Sequence, residues 1–120
     1  SILMNFKNNF GAAWYQADAT NENRKINADG QGWLAYYSND LLLVKCFENL
    51  SPSQPAPNEA EIQVYVNRGK TFIELESQGA YTALDSHKSL TWSVKWYLIP
   101  VDDAAMPSKQ LLKKVKGLLK

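Results

Sequence analysis

Two glutamates that share one face of a predicted strand are the residues best suited to chemistry. Glu74 and Glu76 lie in the segment 71–78, where Ile73 and Leu75 alternate with mostly polar positions, the pattern of a strand with one buried face. Side chains two positions apart on a strand are about 6.5 to 7 Å apart, and paired carboxylates carry out glycoside hydrolysis. Three interpretations stay open: an ion-paired or solvated face, hydrogen bonding to sugar hydroxyls, and catalysis.

Lys45 and His87 could also take part in chemistry, whereas Cys46, inside an apolar string, is expected to be a buried small hydrophobic residue. Lys45 interrupts an otherwise apolar strand pattern, and an unpaired buried charge costs several kcal/mol, so it must emerge at the sheet face or meet a carboxylate. His87, the single histidine, lies in the polar sequence 85–88, which predicts an exposed turn; it is a solvated turn residue or a catalytic acid or base. Cys46, the single cysteine, excludes an internal disulfide and a CxxC metal site, so we expect no metal.

The aromatic residues divide into two groups by their predicted positions. Trp33, Trp92 and Trp96 fall on inferred core faces, where packing is the expected role. Trp14 and Tyr36 are better placed for exposure and could stack on a sugar ring, although Trp14 could also plug the core from an irregular segment.

Composition excludes several classes of protein. The chain has 120 residues, 45% of them apolar, and a net charge of +1 with both signs mixed, which predicts one globular domain and gives no electrostatic case for nucleic acid. Its apolar runs fall short of the roughly 18 residues that a membrane span needs. We therefore expect no nucleic-acid or membrane partner and no cofactor.

The elements that must position these side chains are mostly strands. Residues 1–32 are expected to be irregular, with short strands at 2–6 and 14–15 and loops over 18–31, and residues 33–100 to form the β core. The segments 33–38 and 41–48 predict a hairpin through Asn39-Asp40, with Trp33 opposite Cys46, Ala35 opposite Val44 and Tyr37 opposite Leu42 on the core face.

A second predicted hairpin follows a proline-rich connection at 50–58. A two-residue loop at Arg68-Gly69 would pair Val64 with Ile73 and Ile62 with Leu75. Residues 79–84 predict a short strand, and 90–98 a long one with Leu90, Trp92, Val94, Trp96 and Leu98 facing inward. After Pro100 the apolar spacing becomes helical and predicts one helix over 108–119. The fold class is thus all-β, an antiparallel β-sandwich with a C-terminal helix.

The order of several short strings resembles a known family. These are Gly32-Trp-Leu-Ala-Tyr36, Leu42-Leu-Val-Lys-Cys-Phe47, Val64-Tyr65, Phe72-Ile-Glu-Leu-Glu76 and Trp92-Ser-Val-Lys-Trp96. Together they are similar to the C-terminal part of a bacterial family of uncharacterised proteins with a galactose mutarotase-like fold. The similarity runs from about Lys25 to Pro100, with 85–88 replacing a turn that usually contains Pro-Gly.

The resemblance implies part of an antiparallel supersandwich whose concave side holds a sugar in mutarotases. Those enzymes use a histidine and a carboxylate on opposite sides of the ring, and this chain has one histidine, so the resemblance favours a protein that is not an enzyme and has no catalytic residue. We expect a non-catalytic carbohydrate-binding or structural module with Glu74, Glu76, Lys45, Trp14 and Tyr36 as carbohydrate-binding residues.

Two alternatives remain. The chain could be a fragment of a sugar epimerase or mutarotase-like enzyme, or an interaction module completed by another chain or copy through exposed sheet edges. The compartment is open, with the bacterial periplasm favoured.

Overall fold

The structure is a computed structural model that describes residues 6–17, 24–102 and 107–119. This part of the chain contains eight strands and one α-helix. The strands are β1 (Phe6–Asn9), β2 (Ala12–Tyr15), β3 (Arg24–Ala28), β4 (Trp33–Ser38), β5 (Leu41–Cys46), β6 (Ile62–Val66), β7 (Ile73–Ser77) and β8 (Lys95–Pro100), and the helix is α1 (Lys109–Leu118). The mostly β prediction is confirmed.

The strands form three antiparallel groups. β1 and β2 make a hairpin, β3-β6-β7 form one three-stranded sheet, and β4-β5-β8 form another. β6 and β5 are the central strands of the two larger sheets, so Glu74 and Glu76 lie on an edge strand and Lys45 on a central one. The described helix is too short to cross a bilayer.

The β4–β5 hairpin has the predicted register. Trp33 pairs with Cys46, Ala35 with Val44 and Tyr37 with Leu42. Asn39 and Asp40 have φ angles of 52° and 59°, the left-handed conformation that a two-residue hairpin turn requires and that Asn and Asp tolerate well.

The predicted register of the β6–β7 hairpin is wrong by two residues. Val64 pairs with Leu75, and Ile62 with Ser77. A longer connection replaces the two-residue loop, because a 3₁₀ turn forms at Arg68–Lys70 and the Asn67 side chain accepts a hydrogen bond from the Phe72 amide at 2.9 Å. A shift of two keeps every side chain on its predicted face.

The prediction for 79–98 is wrong in extent, and its inward face is wrong for Leu90, Trp96 and Leu98, which are exposed; Trp92 and Val94 are half-buried. Residues 78–94 contain no strand, so the short strand expected at 79–84 is absent, and β8 begins at Lys95. Pairing with β5 sets Tyr97 opposite Val44 and Ile99 opposite Leu42, so these two residues face the core, and Trp96 and Leu98 are 66% and 64% exposed. The polar turn at 85–88 is present, closed by a hydrogen bond from the Lys88 amide to the Asp85 carbonyl.

The N-terminal region is more regular than its composition suggests. It contains β1, β2 and β3, and the β3 strand was missed because Asn and Asp dominate its surroundings. The strand expected at 2–6 overlaps β1 only at Phe6, and residues 1–5 and 18–23 lie outside the described residues.

The core lies between the β4-β5-β8 sheet and the helix. Its buried cluster consists of Leu42, Val44, Val101, Leu111 and Val115. Ser108 caps α1 by accepting a hydrogen bond from the Leu111 amide at 3.2 Å, so the predicted helix start is confirmed. We call the sheet side that carries Leu42 and Val44 the helix face.

Candidate functional site

Lys45 reaches from one large sheet to the other. It lies on the side of the β4-β5-β8 sheet opposite the helix face, which we call the distal face and which also carries Leu34, Tyr36, Leu41, Leu43, Trp96 and Leu98. Its ammonium donates a hydrogen bond to the Leu75 carbonyl on β7 at 2.7 Å and lies 5.3 Å from the centre of the Trp96 ring. A main-chain carbonyl, not a carboxylate, accepts this hydrogen bond.

The charge of Lys45 is influenced by two opposing effects. Burial lowers the pKa of the lysine, and the nearby Glu76 carboxylate acts in the opposite direction and raises it. Desolvation is the larger effect. Glu76 and Lys45 are therefore close enough to interact, which joins two of the predicted binding residues.

The two glutamates differ in their surroundings although both are exposed. They share the outer face of the β3-β6-β7 sheet, as predicted. Glu76 lies opposite Gln63, whose amide donates to Asn27 at 3.0 Å, whereas Glu74 lies opposite Tyr65. Glu76 thus belongs to a polar row that ends beside Lys45.

Trp96 completes this group, and its predicted place in the core is wrong. Its indole is 66% exposed on the distal face, directly opposite Lys45 in the β5–β8 register. The cluster of Lys45, Glu76 and Trp96 combines an exposed aromatic ring, a half-buried ammonium that donates hydrogen bonds and an exposed carboxylate that accepts them. We call it the Lys45 cluster.

Among the described residues, no hydrogen bond or ring contact joins Trp14 or Tyr36 to the Lys45 cluster. Trp14 packs against the buried core cluster and donates its indole N–H to the Asn9 carbonyl at 2.9 Å, which agrees with the alternative of a core plug. Tyr36 is half-buried on β4. Both residues line a cavity of about 730 Å³ that is bounded by both large sheets and by α1.

The remaining reactive side chains lie elsewhere. His87 is in the exposed 85–88 turn with a φ of 66°. Cys46 is half-buried, and burial raises the pKa of its thiol, with the Lys95 charge acting in the opposite direction. Within the described ranges, the structure shows no group of three His, Cys, Asp or Glu side chains that could hold a metal ion.

Glu61 is an important polar residue that sequence reasoning missed. It is 1% exposed, and its carboxylate accepts hydrogen bonds from the Leu50 amide at 2.5 Å and the Gly32 amide at 3.4 Å. These hydrogen bonds connect the residue before β4, the loop after β5 and the residue before β6. The alternation of apolar and polar residues gives no sign of its burial, because Glu61 lies just before β6 and a glutamate there is expected to be exposed.

Comparison with protein families, with curated proteins and with solved structures finds no match to this chain.

Proposed function

We propose that this chain is a non-catalytic carbohydrate-binding module whose site is the Lys45 cluster. The observation that carries the proposal is the exposed Trp96 ring, with the Lys45 ammonium and the Glu76 carboxylate beside it. Tryptophan offers an apolar ring with a negative face, which suits the C–H groups on one face of a sugar. The two charged side chains suit the hydroxyl groups around the ring edge.

The proposal includes the fold relationship. The two three-stranded sheets are proposed to be part of a galactose mutarotase-like sandwich. The shared cavity between them and the antiparallel pairing throughout both sheets support this assignment. The sugar-facing surface in this chain is then the junction where Lys45 of one sheet meets the β7 edge of the other.

The binding should be weak, because each sugar hydroxyl exchanges a water contact for a protein contact. One hydrogen bond of this kind contributes about 0.5 to 1.5 kcal/mol, and one to a charged group about 1.5 to 3. An exposed site with one aromatic ring and two charged partners therefore suits millimolar affinity.

The test is a titration with monosaccharides and short oligosaccharides, followed by NMR chemical shifts of the Trp96 indole N–H. Trp96→Ala should abolish binding, and Glu76→Gln should weaken it by about 2- to 10-fold, as expected for one hydrogen bond. Glu74→Gln is the matched control, because Glu74 is exposed on the same strand face but lies opposite Tyr65. An equal loss in both glutamine variants, or no response to any sugar in the parent, contradicts the proposal.

A second candidate is an interaction module that another chain completes. Leu41, Trp96 and Leu98 are 44%, 66% and 64% exposed on one sheet face, and contiguous apolar surface of this kind often marks a protein interface. Sedimentation of the parent and of Leu98→Asp separates the two candidates. Self-association that Leu98→Asp removes, without any sugar response, favours the interaction module.

A further inference from the structure

The cavity of about 730 Å³ is separate from the Lys45 cluster, because none of the three cluster residues lines it. Its walls come from four parts of the fold. Residues 11–17, from the β1–β2 hairpin and the two residues after it, form one part. The other three include Ile26, Val64 and Leu75 on the β3-β6-β7 sheet, Trp33, Ala35 and Tyr37 on β4, and Leu111, Leu112 and Val115 on α1. Cross-strand pairing confirms that Ile26, Val64 and Leu75 form one row on one sheet face.

The size of the cavity fits a bound molecule better than a packing defect. Sites for small molecules occupy about 300 to 1,000 Å³ and are lined mainly by apolar and aromatic side chains with a few polar groups. Protein interiors otherwise pack to crystal-like density, with few voids larger than a water molecule. An apolar cavity of this volume between two sheets therefore has the dimensions and chemistry of a ligand site.

The charge of the lining narrows the class of ligand. Among the lining residues that the structure describes, Asp29 is the one side chain of the types Asp, Glu, Lys, Arg and His. A ligand carboxylate placed there would lose its hydration without meeting a cation, which is strongly unfavourable. The lining thus selects against anions.

Polar groups for a neutral ligand are nevertheless present. Gln16, Gln31 and Ser38 belong to the lining and can donate or accept hydrogen bonds. All six residues of β4 line the cavity, on both faces of the strand, so the cavity follows the edge of β4 that does not pair with β5. An edge strand presents backbone N–H and C=O groups along its length.

We propose that this cavity binds an uncharged, largely hydrocarbon molecule that carries a hydroxyl group, such as a medium-chain alcohol. The hydrocarbon part lies between the apolar side chains of the β3-β6-β7 sheet and those of β4 and α1. The hydroxyl group bonds to the polar groups along the β4 edge. This ligand is distinct from the sugar proposed for the Lys45 cluster. None of the three side chains of that cluster lines the cavity.

The experiment compares 1-decanol, decanoate and decylamine at pH 7 with the full chain. Binding is followed by calorimetry and by the methyl resonances of Ile26, Val64 and Val115, with Leu98 as a methyl group outside the cavity. Decanol should shift the lining methyls and leave Leu98 unchanged, and decanoate and decylamine should each bind at least tenfold more weakly; tighter binding of decylamine than of decanol would mean that Asp29 selects a cation and would overturn the proposal. Equal binding of decanoate, or shifts confined to Leu98, would overturn the proposal.

Variants that fill the cavity supply the second arm. Ala35→Trp should reduce decanol affinity at least tenfold, and Val64→Phe on the opposite wall should also reduce it if Ala35→Trp fails to fold. Ala83→Trp is the matched control, because Ala83 is exposed in a coil and does not line the cavity.

Two results would assign the cavity differently and overturn the proposal. If the parent ignores decanol and Ala35→Trp raises the melting temperature, the cavity is an unfilled part of the core. If the parent self-associates and the lining methyls shift with protein concentration alone, a second copy of the chain occupies it.

Discussion

The two faces of the β4-β5-β8 sheet carry similar side chains and have very different surroundings. On the helix face, Leu42 and Val44 are 2% and 0% exposed, whereas on the distal face Trp96 and Leu98 are 66% and 64% exposed. Both faces are largely apolar. The difference arises because α1 supplies a second layer to only one of them, so alternation defines two faces and a neighbouring layer decides which one is buried.

The largest effect should come from truncating matched leucines on the two sides of this sheet. Leu111→Ala should lower the free energy of unfolding by about 2 to 5 kcal/mol, because a fully buried leucine leaves a cavity. Leu98→Ala should change it by less than about 0.5 kcal/mol, as exposed substitutions usually do. Urea unfolding at constant pH measures both, and equal losses would mean that the distal face is covered in solution.

A smaller loss of stability should follow from weakening α1, the helix that covers the helix face. Ser108→Ala removes the side chain that accepts a hydrogen bond from the Leu111 amide, and loss of such a cap costs about 1 kcal/mol. Thermal unfolding followed by circular dichroism gives the change. Ser93→Ala, an exposed serine outside the helix, is the control; a loss of equal size there would remove the case for a capping role.

Removing a tyrosine hydroxyl from β4 should also cost more stability on the helix face than on the distal face. Tyr37→Phe removes a hydrogen bond from the hydroxyl to the Val101 carbonyl, so unfolding should become easier by about 0.5 to 1.5 kcal/mol. Tyr36→Phe, the neighbouring substitution on the distal face, should cost less. Chemical denaturation of the two variants in parallel measures both losses of unfolding free energy. A larger loss in Tyr36→Phe than in Tyr37→Phe contradicts the prediction.

The smallest effect concerns charge on the distal face. Because burial lowers the pKa of Lys45 below 10.5, the unfolded chain binds more protons than the folded chain between the two values, and stability attributable to Lys45 rises with pH across that interval. The difference in unfolding free energy between the parent and Lys45→Met should therefore grow in favour of the parent as the pH approaches 10.5. A constant difference would mean that Glu76 and desolvation cancel, and a declining difference would mean that Glu76 outweighs desolvation; either result contradicts the prediction.

The sequence predicted the elements whose signals are local. The β4–β5 register follows from a two-residue turn at Asn39-Asp40, and the helix follows from Ser108 and the spacing of Leu111, Leu112 and Val115. These features depend on neighbours in the chain. They were correct because local turn and cap chemistry agrees with the final packing.

The failures have a common physical cause. In residues 96–100 both alternating sets are apolar, so alternation cannot choose between Trp96 and Tyr97 for the core. Pairing with β5 decides it. The Lys45 cluster depends on the same long-range pairing, because Lys45, Glu76 and Trp96 lie on three strands. Glu76 and Lys45 were predicted as site residues from their faces, whereas proposing a stacking role for Trp96 required its exposure to be known.

The return of β8 to β5 has a consequence for how fast the chain folds. Cys46 pairs with Lys95 across 49 positions, while the β1–β2, β4–β5 and β6–β7 pairs join strands that are adjacent in sequence. Hairpins of the latter kind form within about 1 to 10 μs, but closing a long loop costs entropy before any contact compensates it. The β3–β6 pair is also long-range, because its nearest partners, Ala28 and Ile62, are 34 positions apart. Addition of β8 to β5 and of β3 to β6 are therefore the expected slow steps, and until β8 is added the edge of β5 is open to pairing with another chain.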